Sequence, residues 1–207
     1  MGSKDRVVRH KENTRQNILQ AALYIGKENG WQNLSMRKIA DAIEYTSPVI
    51  YEYFDSKEDL LRELARKGFV LLTGQLKEAK RIATDSGQQL KNMLIAYWNF
   101  AFNEKHLYQI MFGIEFTCCD FKATLKEAQT SASLLIEVIS DVLKVTEKSS
   151  DVVQKYYYTF WSMLHGLIAI NLTQQDMPKN INALVLEETI TTMMDVLTNA
   201  ANNNKQF

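Results

Sequence analysis

Apolar residues recur every three or four positions along most of the chain, the rhythm of helices that bury one face. Ile18, Leu19, Ala21, Ala22 and Ile25 carry it from Asn13 or Thr14, both acceptable caps, to Asn29-Gly30, where a glycine can turn the chain out of a helix. A first helix is expected over about Thr14 to Asn29. Ser35 caps a short second helix with Met36, Ile39, Ala40 and Ile43 on one side and Arg37 and Lys38 on the other. Thr46 caps a third of two turns, with Pro48 in its first turn, where a missing N–H costs little. Ser56 with Asp59 three residues on reads as a capping box opening a long fourth helix, through Leu60, Leu61, Leu64, Phe69, Leu72 and Leu76 to about Ala83. Beyond Asp85-Ser86-Gly87, helical patterns cover about Gln88 to Asn103, His106 to Gly113, Phe121 to Val145, Ser150 to Thr173 and Ile181 to Ala200.

Composition agrees. Two prolines and eight glycines punctuate 207 residues, too few for a fold of short strands and turns. The expected class is all-α: a three-helix, helix-turn-helix head over residues 1–60, joined by the long fourth helix to a larger helical domain over 61–207.

Charge and chemistry narrow the field. Net charge is zero, yet Lys4, Arg6, Arg9, Lys11 and Arg15 outnumber Asp5 and Glu12 at the start, which reads as a basic N-terminal tail. The longest apolar runs, Leu94 to Phe102 and Leu164 to Leu172, are broken by Asn99 or by His165 and Gly166 and are too short to span a bilayer. With no apolar leader after Met1, a cytoplasmic protein with no membrane partner is expected. Adjacent Cys118 and Cys119 fit neither a disulfide framework nor zinc-ligand spacing, and are expected as two buried thiols. His10, His106 and His165 form no metal constellation, and no nucleophile-base set or phosphate loop appears, so no metal, cofactor or enzymatic activity is expected.

The first sixty residues carry a more specific signal. Ile18-Leu19 with Ala21-Ala22, Gly30-Trp31, Ser35-Met36, Ile39-Ala40, Ile50-Tyr51-Glu52-Tyr53-Phe54, Ser56-Lys57 and Leu60-Leu61 together resemble the DNA-binding region of the TetR family of transcriptional regulators. One departure stands out. The family commonly has glycine in the turn before its recognition helix, where this chain has Glu44, followed by Tyr45 in place of a small aliphatic residue. Such a turn is expected to be tightened or shifted.

The resemblance makes Ser35, Arg37, Thr46, Ser47, Pro48, Val49, Tyr51, Tyr53 and Lys57 the DNA-contacting set. Their chemistry is suitable. Val49 offers a methyl surface for a thymine methyl, and Ser47 pairs with donors or acceptors on base edges. Tyr51, Tyr53 and Lys57 suit phosphate oxygens. Ile50 and Phe54, four apart, are expected to hold the helix down as core, and Glu52 to stay in solvent.

The remaining two thirds resemble family members loosely, except that Trp161, His165 and Gly166 in "FWSMLHGL" are similar to the Trp-His-Gly signature of one branch's sensor region. Val153, Tyr157, Trp161 and His165 form one helical stripe there, and Tyr156, Phe160, Leu164 and Ile168 another. With a last helix striped by Leu186, Ile190, Met193 and Leu197, the segment suits a four-helix interface, so the resemblance implies a homodimer through the last two helices on a palindromic operator. It also implies a small, apolar or aromatic effector, for which Trp98, Phe102, Met111, Phe112, Tyr157, Trp161 and His165 are candidate contacts. The expected protein is a ligand-responsive repressor. The competing expectation is a DNA-bound structural or division-related protein with the same head and no small-molecule sensor, which a tightly packed second domain would favour.

Overall fold

The computed structural model describes residues 2–113, 125–173 and 179–203; Cys118, Cys119, Phe116 and the start of the helix expected from Phe121 lie outside them. Nine α-helices and no strand occur among the described residues. The chain divides into two compact units, Met1–Gly68 with His106–Lys122 and Phe69–Lys105 with Ala123–Phe207.

In the first unit α1 (Ser3–Asn29), α2 (Met36–Ala42), α3 (Ser47–Tyr51) and the start of α4 (Lys57–Arg81) enclose a core in which Ile18, Ile39, Ile50, Leu60 and Leu61 are fully buried. The first helix begins eleven residues before the expected Thr14. No glycine or proline interrupts Ser3 to Thr14, so the helix extends backwards by propagation, which needs no new nucleus. Its start is held by Asp5, whose carboxylate accepts from the Gly2 N–H at 3.1 Å. Thr14 is therefore no cap; it is buried within the helix, and its hydroxyl donates to the His10 carbonyl.

At its other end α1 stops at Gly30, whose φ of 78° and ψ of 152° lie where only glycine is at ease. A short 3₁₀ turn, Trp31–Asn33, then tucks the Trp31 ring against Gly26, leaving no room there for a Cβ.

Ser35 caps α2 as expected, accepting from the Lys38 N–H at 3.3 Å, and Ser56 accepts from the Asp59 N–H at 3.1 Å ahead of α4. The third helix is shorter than expected, five residues. It tightens after Tyr51, where both Tyr53 and Phe54 donate their N–H groups to the Ile50 carbonyl. Thr46 sits at the cap position without a side-chain hydrogen bond.

α6 (Lys105–Phe112) belongs to this first unit, with Met111 against Gly68 of α4. The second unit contains the rest of α4 with α5 (Ser86–Asn103), α7 (Lys126–Leu143), α8 (Asp151–Thr173) and α9 (Lys179–Asn203). Leu90, Met93, Phe100, Val138, Val153, Ile168 and Leu197 fill its centre. One buried polar pair crosses it, the Thr73 and Ser131 hydroxyls at 2.7 Å.

Candidate DNA-binding head and apolar seam

The head owes its shape to the turn between α2 and α3. Glu44 adopts φ 59°, the left-handed region that a glycine would occupy without strain. The Tyr45 N–H meanwhile donates to the Ala40 carbonyl at 2.9 Å. Glu44 thus holds, with a Cβ, a backbone conformation that suits glycine. Ile50 and Phe54 pin α3 from below, with the Arg15 guanidinium 5.0 Å from the Phe54 ring centre.

On the outward side Thr46, Pro48 and Tyr51 are exposed, and Ser47, Val49 and Tyr53 half-buried, so one short helix presents both hydroxyls and a methyl surface. Glu52 is exposed at its end, as expected. Ser35 uses its hydroxyl as a cap, and Arg37, its side chain 86% exposed, has Asp41 4.0 Å away. Lys57 is half-buried, and its ammonium donates to the Trp31 carbonyl at 3.1 Å, so it ties the start of α4 to the 3₁₀ turn. Beneath the head, Glu63 joins α4 to α1. Its carboxylate accepts from Arg66 at 2.6 Å and from Arg15 at 3.2 Å. Those partners, Arg66 foremost, outweigh its partial burial and hold its pKa at about 2 against an ordinary 4.5.

The second unit contains an apolar seam. Leu90, Leu94 and Tyr97 of α5 face Leu135 and Ile139 of α7, and Tyr157, Phe160, Trp161 and Leu164 of α8 close it. Its free space is about 10 Å³, roughly what one water needs. Burial pushes the Tyr157 hydroxyl up to about 12, so it stays neutral there.

Of the candidate effector contacts, only Tyr157 and Trp161 line this seam. His165 stacks on Trp161 at 4.8 Å, and Trp98 packs on the exposed Phe102 at 4.6 Å. Met111 and Phe112 lie in the first unit, Phe112 against Tyr108 at 4.5 Å. Leu90, Leu94, Leu135, Ile139, Phe160 and Leu164 were not among the candidates; their signal was ordinary i, i+4 spacing, which marks buried faces in general. Among the described residues no cluster of three or more His, Cys, Asp or Glu side chains could hold a metal, and no helix is long and apolar enough to cross a membrane.

The stripe of Ile190, Met193 and Leu197, expected at a subunit interface, is buried within the second unit instead, with Leu186 half-buried. α9 turns Ile181, Leu184, Val185 and Val196 outward, and α8 turns out Tyr158, Met163 and Ile170. Gly166 lies near Met163 and Ile170 around α8, within about 60° at 100° per residue, with open space where a Cβ would be.

Comparison with known proteins agrees with this arrangement. The sequence profile of bacterial regulatory proteins of the tetR family matches residues 18–64, and that of the tetracyclin repressor-like C-terminal domain matches residues 90–197. The HTH-type transcriptional activator FasR of Mycolicibacterium smegmatis is 26% identical over 102 residues, 49% of this chain and 47% of FasR. The chain thus matches about half the length of that relative. Among solved structures, the fatty acid degradation regulator FadR of Bacillus halodurans superposes with a TM-score of 0.68 at 19% identity, covering 87% of this chain and 94% of that one. The FadR of Bacillus subtilis in complex with stearoyl-CoA gives 0.68 at 16%, covering 89% and 98%.

Proposed function

The chain belongs to the TetR family of bacterial regulatory proteins, with a helix-turn-helix head for DNA and a helical ligand-binding domain, and from that premise we propose a dimeric repressor of a palindromic operator, released by an apolar effector. The observation that carries the effector class is the seam, whose walls are aliphatic and aromatic side chains with no charged group. A fatty acyl chain fits such walls; the Bacillus subtilis FadR neighbour is in complex with stearoyl-CoA, and the Bacillus halodurans one is named a regulator of fatty acid degradation. The outward apolar side of α8 and α9 supports the dimer, with Gly166 permitting close approach of a partner helix. Two heads double the bases read over those one short helix can reach.

In the proposed mechanism the effector parts α5, α7 and α8, and α4, which runs unbroken from the head into the second unit, carries the change to the spacing of the two heads. Release then depends on the effector's differential affinity for the two spacings.

The seam's small free space, about 10 Å³, favours one second reading, a DNA-bound protein with no small-molecule sensor. Both readings meet in one experiment. Random duplex DNA is selected on the protein, and the bound pool is challenged with acyl-CoAs and free fatty acids of increasing chain length. Enrichment of a palindrome and release by a subset of chain lengths is expected. A palindrome that no acyl compound releases or tightens favours the second reading, tighter binding on addition marks an activator, and no enrichment overturns operator recognition.

A further inference from the structure

The helical stretch ahead of residue 18 lies outside both family profiles, and it carries a net excess of basic side chains. From Lys4 to Glu12 every residue is exposed, and Thr14 is the first that is buried. The helix therefore projects about 16 Å beyond its first buried residue, at 1.5 Å per residue. A polar helix that buries nothing of its own gains stability only from what it meets outside.

Its direction is set by the helical period. Lys4, Val8, Lys11 and Arg15, at steps of four, three and four, form one stripe. Val8, Lys11 and Arg15 line one wall of an open groove, and Tyr53 with Glu52, at the end of the recognition helix, line the other. Arg6 lies on the opposite side of α1, about 200° from Lys4 at 100° per residue. Two acids face the groove as well: Glu12, which accepts from Gln16 at 2.6 Å, and the exposed Glu52. Arg15 is held in its ion pair with Glu63. Lys4 and Lys11 form no ion pair among the described residues, and over Lys4 to Arg15 five cations face two acids.

We infer that the projecting start of α1 is a second DNA-contacting element, in which Lys4 and Lys11 bind backbone phosphates flanking the half-site read by α3. Continuity with the head places the stripe beside Tyr53, itself a candidate phosphate contact. The cation excess suits a polyanion. Such contacts add affinity on every sequence and alter no base preference.

The inference rests on the head binding duplex DNA, and the test separates the two. The full chain, Lys4→Ala/Lys11→Ala and Arg6→Ala are titrated against the selected operator and a random duplex from 50 to 200 mM salt, with helix content and melting checked by circular dichroism. The double variant is expected to lower the slope of log affinity against log salt by about 1.8 per head, about 3.6 for the dimer on the operator, and to weaken binding by up to roughly 60-fold per head at 0.1 M salt. Arg6→Ala is expected to change the slope by far less. An unchanged slope in a folded double variant overturns the inference while leaving the DNA-binding reading intact. An equal fall in Arg6→Ala overturns the assignment to this stripe, replacing it with diffuse charge. Wild-type protein that retains no duplex overturns the reading beneath it.

Discussion

Glu44 holds a left-handed backbone that costs a residue with a Cβ roughly 1–2 kcal/mol, and it sits exposed. Glu44→Gly removes that cost but adds freedom to the unfolded chain worth roughly 0.5–1 kcal/mol. A net gain of roughly 0.5–1 kcal/mol is expected, read as a higher midpoint in urea with operator affinity unchanged. Glu63 acts in the opposite sense. Its pKa falls from 4.5 in the unfolded chain to about 2 in the fold, so its stabilisation is complete above pH 4.5 and disappears as pH falls toward 2. Glu63→Gln is expected to cost about 1–2 kcal/mol at pH 7, with the gap from wild type closing across that window in a series of urea melts.

At the scale of the element, Lys57 has two jobs open to it. Its bond to the Trp31 carbonyl ties α4 to the 3₁₀ turn, and the same ammonium is a candidate phosphate contact. Lys57→Ala should therefore lose about 1 kcal/mol of stability and also lower the salt slope of DNA binding by about one unit for each head. A stability loss with the slope unchanged would make Lys57 a tether alone. Elements with local punctuation were legible in the sequence: Gly30, Ser35 and Ser56 mark their helix ends because caps act within one turn. The start of α1 was not legible, since a helix polar on all sides has no hydrophobic period. Periodicity found the helices α5, α7 and α8, and stripes on α8, but not the seam, because it says which faces are apolar and nothing of what separates them. For the same reason Ile190, Met193 and Leu197 read as an interface: one sequence cannot distinguish burial within a chain from burial between two.

At the scale of the whole molecule, the outward apolar side of α8 and α9 is the surface on which dimerisation is staked. Leu184, 60% exposed, and Ile170 lie within it. Ile170→Asp/Leu184→Asp is expected to yield a monomer in sedimentation with its helix content intact, and to weaken operator binding steeply while sparing single half-sites. A variant that stays dimeric would move the interface elsewhere. The tight seam has a kinetic consequence for the proposed effector. With free space among the described residues for about one water, the seam takes an acyl chain only once α5, α7 and α8 part. Apparent affinity is then the intrinsic affinity divided by the rare open fraction's reciprocal, and binding rates level off at the opening rate as ligand rises. Acyl chains of different length would share that ceiling and differ only in how long they stay, so the cell's response time would be a property of the protein's own breathing.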